Sequence, residues 1–251
     1  MTPSWLLALA ALCFPAAALL EFSRPAAKTG TPGAQRTAMD DNVRALLEKV
    51  RLAMNESNPT LGLPALDPLR LSDVSLDINK GVTRLCGLLP SVEVRGISGF
   101  QLDALSVKLV LLRADFGLHV PEVRASGRYN VTGAISGLLP VYGSGPFSVQ
   151  LTGLNVTNCY LKLGSNDGDL FLKNFTFDYS IGSVKLQLDD LLGGDSLGAA
   201  VNQMLNDVLP QLLADYKPDI VAFAASTVTT YADKFLSGKS VSDLLAIING
   251  S

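Results

Sequence analysis

The segment DSLGAAVNQMLNDVLPQLLADYKPDIVAFAASTVTTYADKF, Asp195–Phe235, limits the possible folds more than any other part of the chain. Its only charges are Asp195, Asp207, Asp215, Lys217, Asp219, Asp233 and Lys234, and Ile220–Ala232 carries none. A surface helix shows one apolar stripe and a charged opposite face. Here apolar residues occupy more than one face, so a helix formed from this segment must be surrounded by other structure. Unbroken, it would run for about 60 Å. Pro210 and Pro218 are each expected to bend it. Gly193 and Gly194 precede it, and Asp195 is placed to cap it.

The material available to surround it is β-structure. From about Leu69 to Leu188 the apolar period falls to two. In LSVKLVLLRADFGLHV, Leu105, Val107, Leu109 and Leu111 alternate with Ser106 and Lys108, and Phe116, Leu118 and Val120 alternate with Gly117 and His119. In YLKLGSNDGDLFLKNFTFDYSI, two short strands flank Asp167-Gly168, a strong hairpin signal. Further strands fit RLSDVSLDI, SVEVRGISGFQL, ASGRYNVTGAISG, GPFSVQLTGLNVTNCYL and GSVKLQLD, with no helix-length stretch between them. Antiparallel pairing in a meander follows.

Two shorter helices complete the chain. TAMDDNVRALLEKVRLAMNES places Met39, Val43, Leu46, Leu47, Val50 and Met54 at helical spacing behind an acidic first turn, and prolines at 59, 64 and 68 end it. Ser240-Val-Ser-Asp243 resembles a capping box that opens a terminal helix through Ile248. The expected fold class is α+β: a strongly curved antiparallel sheet wrapped around one long apolar helix, with an N-terminal amphipathic helix and a C-terminal helix.

The compartment is read from the termini and the cysteines. MTPSWLLALAALCFPAAALLEFS has the apolar run and the Ala16–Ala18 cleavage pattern of a signal peptide over 1–18. A membrane anchor is disfavoured because Pro15 interrupts the run. Residues 19–36 read as a flexible leader and 37–251 as one domain. Sequons at Asn55, Asn130, Asn155 and Asn174 agree with an extracellular chain. Removal of Cys13 with the signal leaves Cys86 and Cys159, either bridged or present as two free thiols. A formal net charge of −3 argues against a nucleic-acid partner. Only 17% of residues are charged, which suits a protein with an apolar interior surface to line.

Several stretches resemble the insect takeout and haemolymph juvenile-hormone-binding protein family. They are GLPALDPLRLSDVSLD (62–77), VRGISGFQLDALSVKL (94–109), PEVRASGRYNVTGAISGLLPVYGSG (121–145) and LLGGDSLGAAVNQMLN (191–206) with YKPDI (216–220). The resemblance covers nearly all of the chain beyond the signal segment. It implies a sheet wrapped around a helix with an apolar tunnel along it, similar to one half of the lipid-transfer proteins of the bactericidal/permeability-increasing type. The implied role is carriage of a small hydrophobic ligand such as a terpenoid hormone or a fatty-acid-like lipid. The chain lacks the cysteine pair that family members commonly carry near the mature N-terminus.

No catalytic constellation, metal site or cofactor motif emerges. His119 is the only histidine and reads as an ordinary strand residue. Gly143-Ser-Gly145 reads as a bend or bulge rather than a phosphate loop. Paired acids such as Asp40-Asp41 and Asp189-Asp190 read as solvated element ends. If the tunnel exists, its expected lining is Phe100, Leu105, Val107, Leu109, Phe116 and Leu118 from the sheet. The helix would add Val201, Met204, Leu205, Val208, Leu212 and Phe223, with Tyr129 and Tyr160 orienting a polar ligand end. A monomeric carrier without stable membrane insertion is expected, a receptor being a further partner. The alternative is a secreted interaction protein whose tunnel is collapsed and which acts through its surface.

Overall fold

The computed structural model describes residues 38–56, 65–80, 82–135, 137, 139–194 and 196–249. The expected signal segment, the leader over 19–36, Pro59, Pro64 and the Asp195 cap lie outside the described residues.

Six strands form one antiparallel sheet: β1 Leu69–Lys80, β2 Thr83–Arg95, β3 Gln101–Lys108, β4 Arg113–Ile135, β5 Leu139–Asn166 and β6 Asp169–Leu188. The order is β1-β2-β4-β5-β6, with β3 also paired to β4. Strand β4 therefore has two neighbours on one side. Its later half, Arg124–Ala134, pairs with β2, and its first residues, Arg113–His119, pair with β3. At the β5–β6 turn Asn166 pairs with Asp169, and Asp167 and Gly168 take φ of 53° and 96°, the left-handed pair that suits a two-residue hairpin.

Among the described residues four α-helices pack on the sheet: α1 Ala38–Ala53, α2 Ser196–Asp215, α3 Lys217–Leu236 and α4 Val241–Asn249. The expected long helix is thus two helices meeting at Tyr216. Pro218 cannot donate to the Ala214 carbonyl, and its ring crowds that position, so the ladder breaks one residue before the Lys217-Pro218 pair. The main chain still turns through the joint, because Tyr216 N–H donates to the Leu212 carbonyl (3.0 Å) and Ile220 N–H donates to the Tyr216 carbonyl (2.9 Å).

The helix pair runs back along the edge strand β6, opposite in direction. Asn202 accepts from Leu188 N–H (2.9 Å) and donates to the Leu188 carbonyl (2.7 Å). Asn206 repeats this clamp on Leu186, at 2.7 Å each way. Lys217 meets Asp178 at 2.6 Å, and the Asp233 carboxylate accepts from Leu172 N–H at 2.7 Å. Two unlike rises are matched here. From Asn202 to Asp233 a helix climbs about 46 Å at 1.5 Å per residue, and from Leu188 to Leu172 a strand spans about 53 Å at 3.3 Å per residue. The side chains of the helices thereby satisfy edge N–H groups that would otherwise template aggregation.

Burial differs between the two helices. In α3 the exposed positions are Asp219 in the first turn and one ridge, Pro218, Ala222, Ser226, Thr230 and Lys234, and every other residue is at least half-buried. That is the enclosed helix expected from the uncharged run. In α2 only Gly198, Val201, Asn202 and Leu205 are buried, so it lies on the sheet by one stripe. Burying Ile220 and Val228 from α3 stabilises the fold by about 1.5–3 kcal/mol each. One core unites Val74 of β1, Val131 of β4, Phe177 of β6 and Val228 of α3, because the sheet curves over the helices.

Of the two alternatives for the cysteines the structure holds the free thiols, and two expectations, for Gly143-Ser-Gly145 and for Asp40, are corrected. The free cysteines are Cys86, exposed, and Cys159, buried. Cys86 pairs with Thr132 and Cys159 with Phe116, sixteen positions apart along β4. That separation is about 50 Å in an extended strand, against the roughly 7 Å limit between Cα atoms of a disulfide. Gly143 and Gly145 form no bulge, since β5 keeps its register with β4 through both. They admit the 189–191 segment, since a Cβ would lie 3.0 Å from the Asp190 carbonyl at Gly143 and 2.5 Å from that of Asp189 at Gly145. Asp40 is buried, and its carboxylate accepts from Val107 N–H at 2.7 Å, fastening α1 to the free edge of β3.

Candidate ligand cavity

A cavity of about 130 Å³ lies at the end of the sheet where β3 pairs with β4, and it is partly open to solvent. Seven elements and one turn enclose it because each brings apolar side chains there. Helix α1 contributes Val43, Leu46 and Leu47, the inward face of its amphipathic pattern. Strands β3 and β4 contribute Leu105, Val107, Ala114, Phe116 and Leu118, with Leu105 registered to Phe116 and Val107 to Ala114. Leu161 and Leu163 of β5 and Leu172 of β6 continue the floor. Ala232 and Leu236 of α3, with Leu244 and Ile248 of α4, form the opposite wall, and Leu109 and Leu112 stand in the turn between β3 and β4.

Among the described residues Arg113 is the one charged residue at the cavity. Strand alternation turns its side chain away from the face carrying Ala114 and Phe116. The guanidinium is held outside by Asp115, with Nη2 to Oδ1 at 2.6 Å and Nε to Oδ2 at 2.8 Å, and lies 4.6 Å from the centre of the Tyr160 ring. The Asp115 carboxylate beside it raises the Arg113 pKa above its ordinary value. The interior therefore offers hydrocarbon and no side-chain hydrogen bond.

Of the expected lining, Leu105, Val107, Leu109, Phe116 and Leu118 face the cavity. The others do not. Phe100, Val201 and Leu205 are buried in the core, Val208, Leu212 and Phe223 are partly buried, and Met204 is 50% exposed. The five α2 residues stand at the other end of β6, since α2 lies beside Leu186–Leu188 and the cavity beside Leu172, and Phe223 of α3 is absent from the lining. At the α2 end the space is filled, with Tyr129, Val141, Leu191 and Val201 each 1% exposed. Tyr129 donates its hydroxyl to the Asp189 carbonyl at 2.6 Å, and Tyr160 lies under Arg113 on the outer face, so neither orients a ligand here. The missed residues of α1 carried a usable signal, an apolar stripe that needed a partner.

The remaining candidates are placed as follows. His119 Nδ1 lies 2.7 Å from Asn155 Oδ1. Asn55, Asn130 and Asn174 are exposed, whereas Asn155 is half-buried by its contact with His119. Burial pushes the Cys159 thiol up to about 12. Among the described residues no group of three or more His, Cys, Asp or Glu side chains is placed to hold a metal, and no helix is long and apolar enough to cross a membrane.

The family model for haemolymph juvenile hormone binding protein matches residues 8–246. The chain belongs to that family. Among solved structures, that of Epiphyas postvittana Takeout 1 has the same fold, with a TM-score of 0.61 at 18% identity over 80% of this chain and 94% of that one. A lipopolysaccharide binding protein is similar over 80% of this chain and 39% of that chain, with a TM-score of 0.39 at 16% identity. No curated protein matches the sequence significantly. Membership accounts for the α+β architecture as a shared one and makes the cavity the first place to look for function.

Proposed function

We propose that this chain is a secreted carrier of a small hydrophobic molecule, a terpenoid or a fatty-acid-like lipid. One observation carries the reading. The cavity is lined by seventeen apolar residues and by Arg113, whose charged group is held outside by Asp115. Affinity then comes from burying hydrocarbon, about 0.8 kcal/mol per methylene. With no polar side chain inside, the polar end of the cargo stays at the mouth, and discrimination between head groups is weak. Membership in a family named for juvenile hormone binding supports a hydrophobic cargo. The N-terminal apolar run and the exposed sequon residues Asn55, Asn130 and Asn174 support secretion of a mature domain over 37–251. A single chain supplies the whole lining, which fits a monomer, and a binding role requires no catalytic group.

Native mass spectrometry of the secreted, deglycosylated chain, followed by organic extraction, tests this. An adduct of a few hundred daltons, released on denaturation and identified as a lipid or terpenoid, is the expected result. A bare mass that stays bare after incubation with terpenoids and fatty acids would replace the carrier with a protein acting through its surface.

A further inference from the structure

The β3–β4 turn has a composition that turn formation does not explain. It is built from Leu109, Val110, Leu111 and Leu112, with no Gly, Asn, Asp or Pro. Leu112 takes φ of 49°, a left-handed conformation that a leucine adopts at a cost and a glycine would adopt freely. Its two inward residues, Leu109 and Leu112, line the cavity. Its two outward residues are in water, Val110 at 97% exposure and Leu111 at 55%. An apolar tip thus projects from the mouth itself, continuous with the lining.

Directly behind the tip stands a row of cations. Lys108 is registered to Arg113 across β3 and β4, and Arg113 to Lys162 across β4 and β5, so the three lie side by side on the outer face. Like charges placed directly opposite one another destabilise a sheet. Asp115 offsets Arg113, while neither lysine has an ion-pair partner among the described residues. Apolar side chains projecting ahead of long basic ones match the boundary of a bilayer, where hydrocarbon meets anionic phosphate.

We infer that the β3–β4 turn docks the mouth of the cavity on a lipid membrane bearing anionic headgroups. Val110 and Leu111 enter the acyl boundary, Lys108, Arg113 and Lys162 meet the headgroups, and cargo passes between bilayer and cavity over Leu109 and Leu112. Contact is brief, because two apolar residues and three cations fall short of a stable anchor. This inference rests on the carrier reading for its purpose but not for its test.

The test is the rate at which the full chain, loaded with a fluorescent fatty acid, passes the probe to vesicles of phosphatidylcholine with and without phosphatidylserine. The rate should rise in proportion to vesicle concentration and be faster with phosphatidylserine. In the double variant Val110→Asp, Leu111→Asp it should fall by at least about tenfold. Uptake of the probe from water should be unchanged, since neither residue lines the cavity. A rate independent of vesicle concentration, or equal in the variant, overturns the inference and leaves the carrier intact. If the chain takes up no probe, the carrier reading fails instead. Flotation of the unloaded chain with the same vesicles then decides: wild type enriched over the variant upholds docking, and equal recovery overturns it.

Discussion

Replacing Ala232 by leucine tests whether cargo is held where the geometry places it. Ala232 is 7% exposed on the wall that α3 turns toward β5 and β6, and its methyl faces the cavity. Leucine adds three carbon atoms to a space of about 130 Å³, so about three methylenes of cargo lose their place. At about 0.8 kcal/mol each the loss is about 2.4 kcal/mol, or roughly fiftyfold in Kd. Stability should change little, because overpacking, about 1–3 kcal/mol, is offset by burial of a leucine, about 1.5–3 kcal/mol. Displacement of a fluorescent fatty acid gives the affinity, and urea denaturation gives the stability. Ala222→Leu, on the exposed ridge of the same helix, is the control and should bind as the wild type does. Wild-type affinity in a folded Ala232→Leu protein would mean that cargo does not enter this cavity.

Three further outcomes follow from particular contacts. Asp40→Ala removes the acceptor of Val107 N–H and should destabilise the chain by about 1–3 kcal/mol, while Asp40→Asn keeps an oxygen there and should lose less, as read by denaturant midpoint. A thiol reagent at pH 8 should label Cys86 in the native chain and Cys159 only after unfolding, because burial holds the Cys159 pKa near 12 and the thiolate forms only as pH approaches that value. Asp243 has its pKa lowered from 3.8 by hydrogen bonds from Ser240, first from the hydroxyl and then from the backbone N–H. Its cap therefore contributes fully above that ordinary value and is lost as pH falls through the lower folded one. Destabilisation by Asp243→Asn, measured by urea at a series of pH values, should be present at pH 7 and vanish in strong acid.

The features legible in the sequence are those whose cause is local. Asp167-Gly168 announces its hairpin because both residues tolerate positive φ, and Ser240–Asp243 announces α4 because the capping bonds join residues three apart. Alternation in β3 and β4 places Leu105, Val107, Phe116 and Leu118 inward, and those residues do face the cavity. What escaped depends on distant partners. Leu109–Leu112 reads as continuing strand because its turn contains none of the residues that signal one, and the pairing of Lys108 with Arg113 is needed to reveal it. Asn202, Asn206 and Asp233 look like ordinary polar helix residues until β6 lies beside them as an unpaired edge.

The position of the cavity along the helix pair follows from the same long-range geometry. Helices α2 and α3 are similarly apolar, so composition cannot say which half faces open space. The two asparagine clamps fix α2 to Leu186 and Leu188, where Tyr129 and Leu191 already fill the interior. Asp233 fixes the end of α3 to Leu172, where β2 has given way to the short β3 and only α1 and α4 remain to close the core. Helix α1 reaches that gap because Asp40 finds the free N–H of Val107. The opening is therefore a consequence of β3 ending at Lys108: eight residues of edge strand cover less of the helices than a full-length neighbour would, and the apolar turn that ends β3 becomes the lip of the cavity.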